Sequence, residues 1–148
     1  ASTLQNRFER TGSSISLDDS ITIASEAVTL VPPDHPDRAA MLSNLASALQ
    51  NRFVLTGSSV DLDEAVIAAR EAVAVVPSNH PSRAAMLSNL ASALQNRFVL
   101  TGSSVDLDEA VTAAREAVAA VPAKHPDRAL MLSQLGAILH AQAERDRG

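Results

Sequence analysis

The residues of this chain with the most reactive side chains recur at fixed intervals, and those intervals argue against shared chemistry. His35, His80 and His125 each precede a proline and stand 45 residues apart, one per copy of a repeated segment. Structural units that stack side by side lie about 10 Å apart, the usual spacing of helix axes, so three such histidines cannot converge on one metal ion. A loop or capping role is the expectation, and no metal site is expected. His140 has no histidine companion in its vicinity. Thr-Gly-Ser-Ser occurs at 11–14, 56–59 and 101–104. It lacks both the Gly-Lys-Ser/Thr ending and the preceding strand of a phosphate-binding loop, so it reads as a turn. No Ser, His and acid set has a catalytic spacing. No catalytic residue, no cofactor and no enzymatic activity are expected.

The composition narrows the partners. The 148 residues are 46% hydrophobic and 2% aromatic, carry a formal net charge of −5 and contain no cysteine. Basic residues are scattered singly, which leaves no electrostatic footprint for nucleic acid or an anionic membrane surface. No apolar run approaches membrane-spanning length and the first residues lack a signal-peptide pattern, so a soluble, cytoplasmic or otherwise intracellular protein is expected. The absence of disulfides agrees with that compartment.

The elements that position these residues are two helices per repeat. Segments 38–82 and 83–127 are identical at 40 of 45 positions and differ only at Ile67/Thr112, Val75/Ala120, Ser78/Ala123, Asn79/Lys124 and Ser82/Asp127. Such near-identity fits recent duplication or an engineered excerpt. Pro36, Pro81 and Pro126 suit the first turn of a helix A. In the second copy its apolar face is Met41, Leu42, Leu45, Leu49 and Phe53. Gly57 then fits a left-handed stop, and Asp61 with Glu64 forms a capping-box pattern that opens a helix B. Leu62, Ala65, Ala69, Ala72, Val73 and Val76 give helix B its inner face before Pro77 ends it. Small alanines allow close approach, so each A/B pair predicts an antiparallel hairpin, and successive hairpins must stack to bury their stripes. The chain divides into a partial first repeat (1–35), a second (36–80), a third (81–125) and a C-terminal capping helix (126–148). The expectation is an all-α array of about seven helices.

These residues resemble the tetratricopeptide repeat family, in which large and small side chains alternate along a helix-turn-helix unit. Leu42, Leu45, Ala46, Leu49, Ala65, Ala69, Ala72 and Pro77 occupy the signature places of the second copy. Leu87, Leu90, Ala91, Leu94, Ala110, Ala114, Ala117 and Pro122 repeat them, and Gly136 restores the family glycine in the last copy. The unit is longer than the family's usual length of about 34 residues. Its His-Pro-x-Arg-Ala start is similar to the long repeats of kinesin light chains and of large fungal multi-repeat proteins, and the residues do not choose between them.

The resemblance implies a right-handed α-solenoid whose A helices line a concave groove that holds a peptide or a partner protein. On a helical wheel Ser43, Ser47, Gln50 and Val54 lie opposite the Leu45 and Leu49 stripe, flanked by Asn44 and Asn51. Ser88, Asn89, Ser92, Gln95, Asn96 and Val99 repeat the set. Such a ladder of neutral donors and acceptors suits the backbone of an extended peptide. An asparagine early in helix A can equally support packing between neighbouring hairpins in this family. Family members that clamp a terminal carboxylate place Lys or Arg on this surface, where this chain has Ser, Asn and Ala. Val54 and Val99 replace the Glu9 of the first copy and are candidates for an apolar contact. Arg52 and Arg97 are expected to lie over the core and pair with acids of helix B such as Asp63 or Glu64. The alternative function is a self-associating structural or designed scaffold, a head-to-tail homo-oligomer, because the shortened first helix A leaves part of the first helix B uncovered.

Overall fold

Glycine and serine set the turn inside each unit, and histidine and proline set the turn between units. In the computed structural model, which describes the backbone of residues 2–148 and the side chains of residues 16–148, the elements are α1 (Ser2–Leu30), α2 (Arg38–Thr56), α3 (Ser59–Val75), α4 (Arg83–Thr101), α5 (Ser104–Ala120) and α6 (Arg128–Arg147). Helices α2 and α4 end at Gly57 and Gly102, both at φ +73°, where the glycine N–H donates to the carbonyl of Phe53 or Phe98 at 2.7 Å. A residue with a Cβ is strained in that left-handed conformation, which explains the glycine.

The next helix opens one residue pattern earlier than the sequence reading placed it. Ser58 and Ser103 are the N-caps, each accepting from the N–H of Asp61 or Asp106. Asp61 therefore sits at the third helical position, not at the cap, and its carboxylate is left to bind an arginine. Pro36 also stands two residues before α2 instead of within its first turn. The bend there is built by histidine: the Nδ1 atoms of His35, His80 and His125 accept from the N–H of Asp37, Ser82 and Asp127, each at 3.0 Å. That bond answers the expectation of a loop or capping role. Among the described residues no group of three or more metal-ligating side chains assembles.

The described residues form six helices, close to the expected count of about seven; α1 runs unbroken through the segment that corresponds to a short helix A, its turn and helix B. Expectations for side chains before Ser16 lie outside the described residues.

Helices α2 and α3 pack as one hairpin and α4 and α5 as the next, with α1 against α2, α3 against α4 and α5 against α6. Leu42, Ala46 and Leu49 of α2 and Leu62, Ala65, Ala69 and Ala72 of α3 are buried, and Leu87, Leu90, Ala91, Leu94, Leu107, Ala110, Ala114 and Ala117 repeat them one unit on. Most of these side chains form one cluster that extends from Ala39 to Ile138, while Leu49 and Ala65 join Ile21 of α1 in a second. Each fully buried leucine in such a seam contributes about 1.5–3 kcal/mol. Alanine faces explain how the seam closes with few aromatics, since small side chains let neighbouring helices approach closely. Helix α6 buries only Met131 and Ile138, while Leu130 and Leu132 stay exposed. Among the described residues no helix is long and apolar enough to cross a membrane.

Candidate binding surface

The fold sorts the helices into two layers, A helices α2, α4 and α6 and B helices α1, α3 and α5, and the sequence-predicted ladder lies on the first. On α2, Ser43, Ser47 and Gln50 are half-buried while Asn44, Asn51 and Val54 are exposed. On α4, Ser88, Asn89, Ser92, Gln95 and Asn96 are half-buried and Val99 is exposed. The two valines reach 74% and 76% exposure, beside the exposed Leu55 and Leu100.

Part of the ladder is spent on joining successive A helices. Asn89 Nδ2 donates to Ser43 Oγ at 3.4 Å, and Gln50 Nε2 donates to the Asn89 carbonyl at 3.3 Å. Between α4 and α6 the joint is tighter: Gln134 Nε2 donates to the Ser88 carbonyl at 3.0 Å and to Ser92 Oγ at 2.8 Å, and Ser88 Oγ donates to Gln134 Oε1 at 2.8 Å. Gln134 stands one period beyond Asn89. The packing role of the helix A amide is therefore visible in Asn89 and Gln134, whereas Asn44 is exposed and bonds to no described side chain.

The same joint floors an open cleft of about 480 Å³ between α4 and α6. Ser88, Asn89, Ser92 and Gln95 line it from one side, and Asp127, Leu130, Met131 and Gln134 from the other. Ser43, Asn44, Ser47, Gln50, Asn51, Val54, Asn96 and Val99 do not line this cleft. The α6 contribution was missed because that helix was read as a cap. The signal lay in the register, which puts Gln134 in the place of Asn44 and Asn89.

Two arginines fix the layers to each other. Arg52 holds Asp61 through Nε–Oδ2 and Nη2–Oδ1 bonds of 2.8 Å and reaches back to Asp18 on α1 at 3.1 Å. Arg97 grips Asp106 in the same way and reaches Asp63 on α3 at 3.3 Å. Asp63 is thus a partner, as expected, but the buried aspartate at the third position of helix B is the principal one, and Glu64 forms no ion pair among the described residues. These bonds hold the carboxyls of Asp61 and Asp106 below the usual carboxylate range, against the opposing effect of their burial. They also keep both guanidinium groups more firmly protonated. Such aspartates are structural anchors.

A profile of the tetratricopeptide repeat family matches residues 38–82 and 83–127, more than half of the chain. Among solved structures, a kinesin light chain-like protein of Podosopora anserina with nearly identical TPR-like repeats superposes with a TM-score of 0.68 at 24% identity, and a single-substitution variant of it with 0.66 at 24%. The alignments cover 95% of this chain and 64% of those chains, so the chain spans less than two thirds of their length. No curated protein matches the chain. The likeness in structure carries the fold, a right-handed solenoid of stacked helix hairpins. Repeats of this kind generally mediate protein–protein interaction and are typically non-enzymatic scaffolds. On the strength of its two consecutive repeat matches, the chain belongs to the tetratricopeptide repeat family.

Proposed function

We propose that the chain is a protein-interaction scaffold that seats an extended, largely uncharged peptide segment on its A-helix layer, with the α4–α6 cleft as the principal site. The observation that carries this reading is the cleft's lining. Amide and hydroxyl groups of Ser88, Asn89, Ser92, Gln95 and Gln134 line it together with the apolar side chains of Leu130 and Met131. Gln95 makes no hydrogen bond to a described group and Asn89 spends only its amide donor, so both retain capacity for a peptide backbone. A peptide N–H or carbonyl placed there replaces the water it loses, which keeps the cost of desolvating it low. Val99 and Leu100 at the end of α4 offer an apolar side chain somewhere to rest.

The test is a display selection for uncharged peptides against the purified chain, followed by fluorescence anisotropy with the selected sequences. Asn89→Ala combined with Gln95→Ala is expected to weaken binding about tenfold while the helical circular dichroism stays unchanged. Unchanged affinity in that double variant, or selected peptides that bind elsewhere, would remove the cleft from the account.

A further inference from the structure

The B-helix layer carries a second groove, and the repeat itself shows what fits it. Between α1, α2 and α3 lies a cavity of about 360 Å³ walled by Leu42, Leu45 and Leu49, with Ser25 on one rim and Glu64 on the other. One period on, Ser25 corresponds to Arg70 and Glu64 to Glu109. There Arg70 reaches from α3 to α5 and holds Glu109 with two bonds, Nε–Oε2 at 2.7 Å and Nη2–Oε1 at 2.6 Å. The floor differs between the two units as well. Leu90 is 5% exposed in the unit that carries Arg70, whereas its counterpart Leu45 is only half-buried in the unit where serine stands in that place.

We infer that the groove between Ser25 and Glu64 is a socket for an arginine side chain presented by a partner protein. Its guanidinium would pair with the Glu64 carboxylate in the fork geometry that Arg70 makes with Glu109, and its aliphatic stem would cover Leu45. Both halves of the fit come from the chain's own second copy of the site. An arginine is favoured over a lysine because two parallel N–H donors match two carboxylate oxygens, and its flat, weakly hydrated head and apolar stem suit a leucine floor. Glu71, on the same wall, is already held by Arg38 at 2.7 Å, which leaves Glu64 as the acceptor. The socket lies on the layer opposite the α4–α6 cleft and stands or falls independently of it.

The probe is N-acetyl-arginine methylamide, titrated into isotopically labelled chain and followed by amide chemical shifts. Saturable shifts with a millimolar midpoint are expected near Ser25, Ile67 and Ala68, as suits a ligand of this size. Glu64→Gln is expected to weaken binding roughly fivefold, the effect of losing one partly screened ion pair. Ser25→Arg is expected to abolish the shifts, because the groove is then filled from within as it is beside Arg70. The norleucine analogue, with a stem but no guanidinium, is expected to give no saturable shift. Absence of saturation with the arginine probe, equal binding by norleucine, or undiminished binding in both variants would overturn the assignment.

Discussion

Arg97 grips Asp106 across the α4–α5 hairpin with two parallel bonds of 2.8 and 2.9 Å, while its third nitrogen reaches Asp63 in the preceding hairpin. One side chain therefore ties helix A to its own helix B and to the helix B before it. The aspartate is 5% exposed, so its charge depends on that arginine for compensation.

Removing the buried partner should cost far more than removing the exposed one. Asp106→Ala strands a half-buried guanidinium and is expected to lower unfolding free energy by about 2–3 kcal/mol, below the upper range for wholly buried pairs because Arg97 keeps some solvent contact. Asp63→Ala is expected to cost less than about 1 kcal/mol. Urea denaturation of the two variants measures both, and equal losses would mean that the pair inside the hairpin has no special weight.

The same pairs predict an acid-sensitive fold. Folding lowers the pKa of Asp61 and Asp106 through their arginines. In the unfolded chain these carboxyls titrate near the ordinary value of about 3.9. Between the folded and unfolded values the unfolded state binds more protons, so the contribution is complete well above pH 4, declines as pH falls through that value and vanishes below the folded pKa. Urea midpoints measured from pH 7 to pH 3 should fall most steeply below about pH 4, and Asp106→Asn should flatten that slope.

Two glycines should respond in opposite senses to alanine. Gly102 has open space around a Cβ but sits at φ +73°, so Gly102→Ala is expected to destabilise by about 1 kcal/mol through backbone strain alone. Gly136 lies inside α6 with nothing within 4 Å of a built Cβ, and Gly136→Ala is expected to stabilise by about 0.5–1 kcal/mol through helix propensity. Thermal melts of the two variants should therefore shift in opposite directions.

Loss of the α4–α6 joint should loosen the cleft without dissolving the hairpins. Gln134→Ala removes three hydrogen bonds to Ser88 and Ser92 and is expected to cost about 1–2 kcal/mol, moderated by water entering the open cleft. Faster amide exchange confined to α6 is the expected signature; uniform acceleration through α2 and α3 would contradict it.

Much of the fold was legible because the repeat states it twice. The apolar stripe of Leu42, Leu45 and Leu49, the glycine at 57 and the proline at 77 each act through local geometry, which depends on neighbours in sequence. The roles of Asp61 and Gln134 were not legible. Asp61 looked like a cap because an acid three residues before Glu64 imitates one, and only packing shows that Ser58 takes the cap and frees the carboxylate for Arg52. Gln134 bonds to residues 42 and 46 positions away. The ladder on α2 and α4 was foreseen as a surface, yet how much of it serves packing depended on the register between A helices.

That register is accessible through nuclear Overhauser effects from the Gln134 side-chain amide. In-register stacking of α4 and α6 places Gln134 Nε2 2.8 Å from Ser92 Oγ and 3.0 Å from the Ser88 carbonyl, which predicts strong cross-peaks to the β-protons of Ser92 and the backbone of Ser88. Cross-peaks to α4 residues a helical turn away, or none to α4 at all, would contradict the stacked array and with it the cleft.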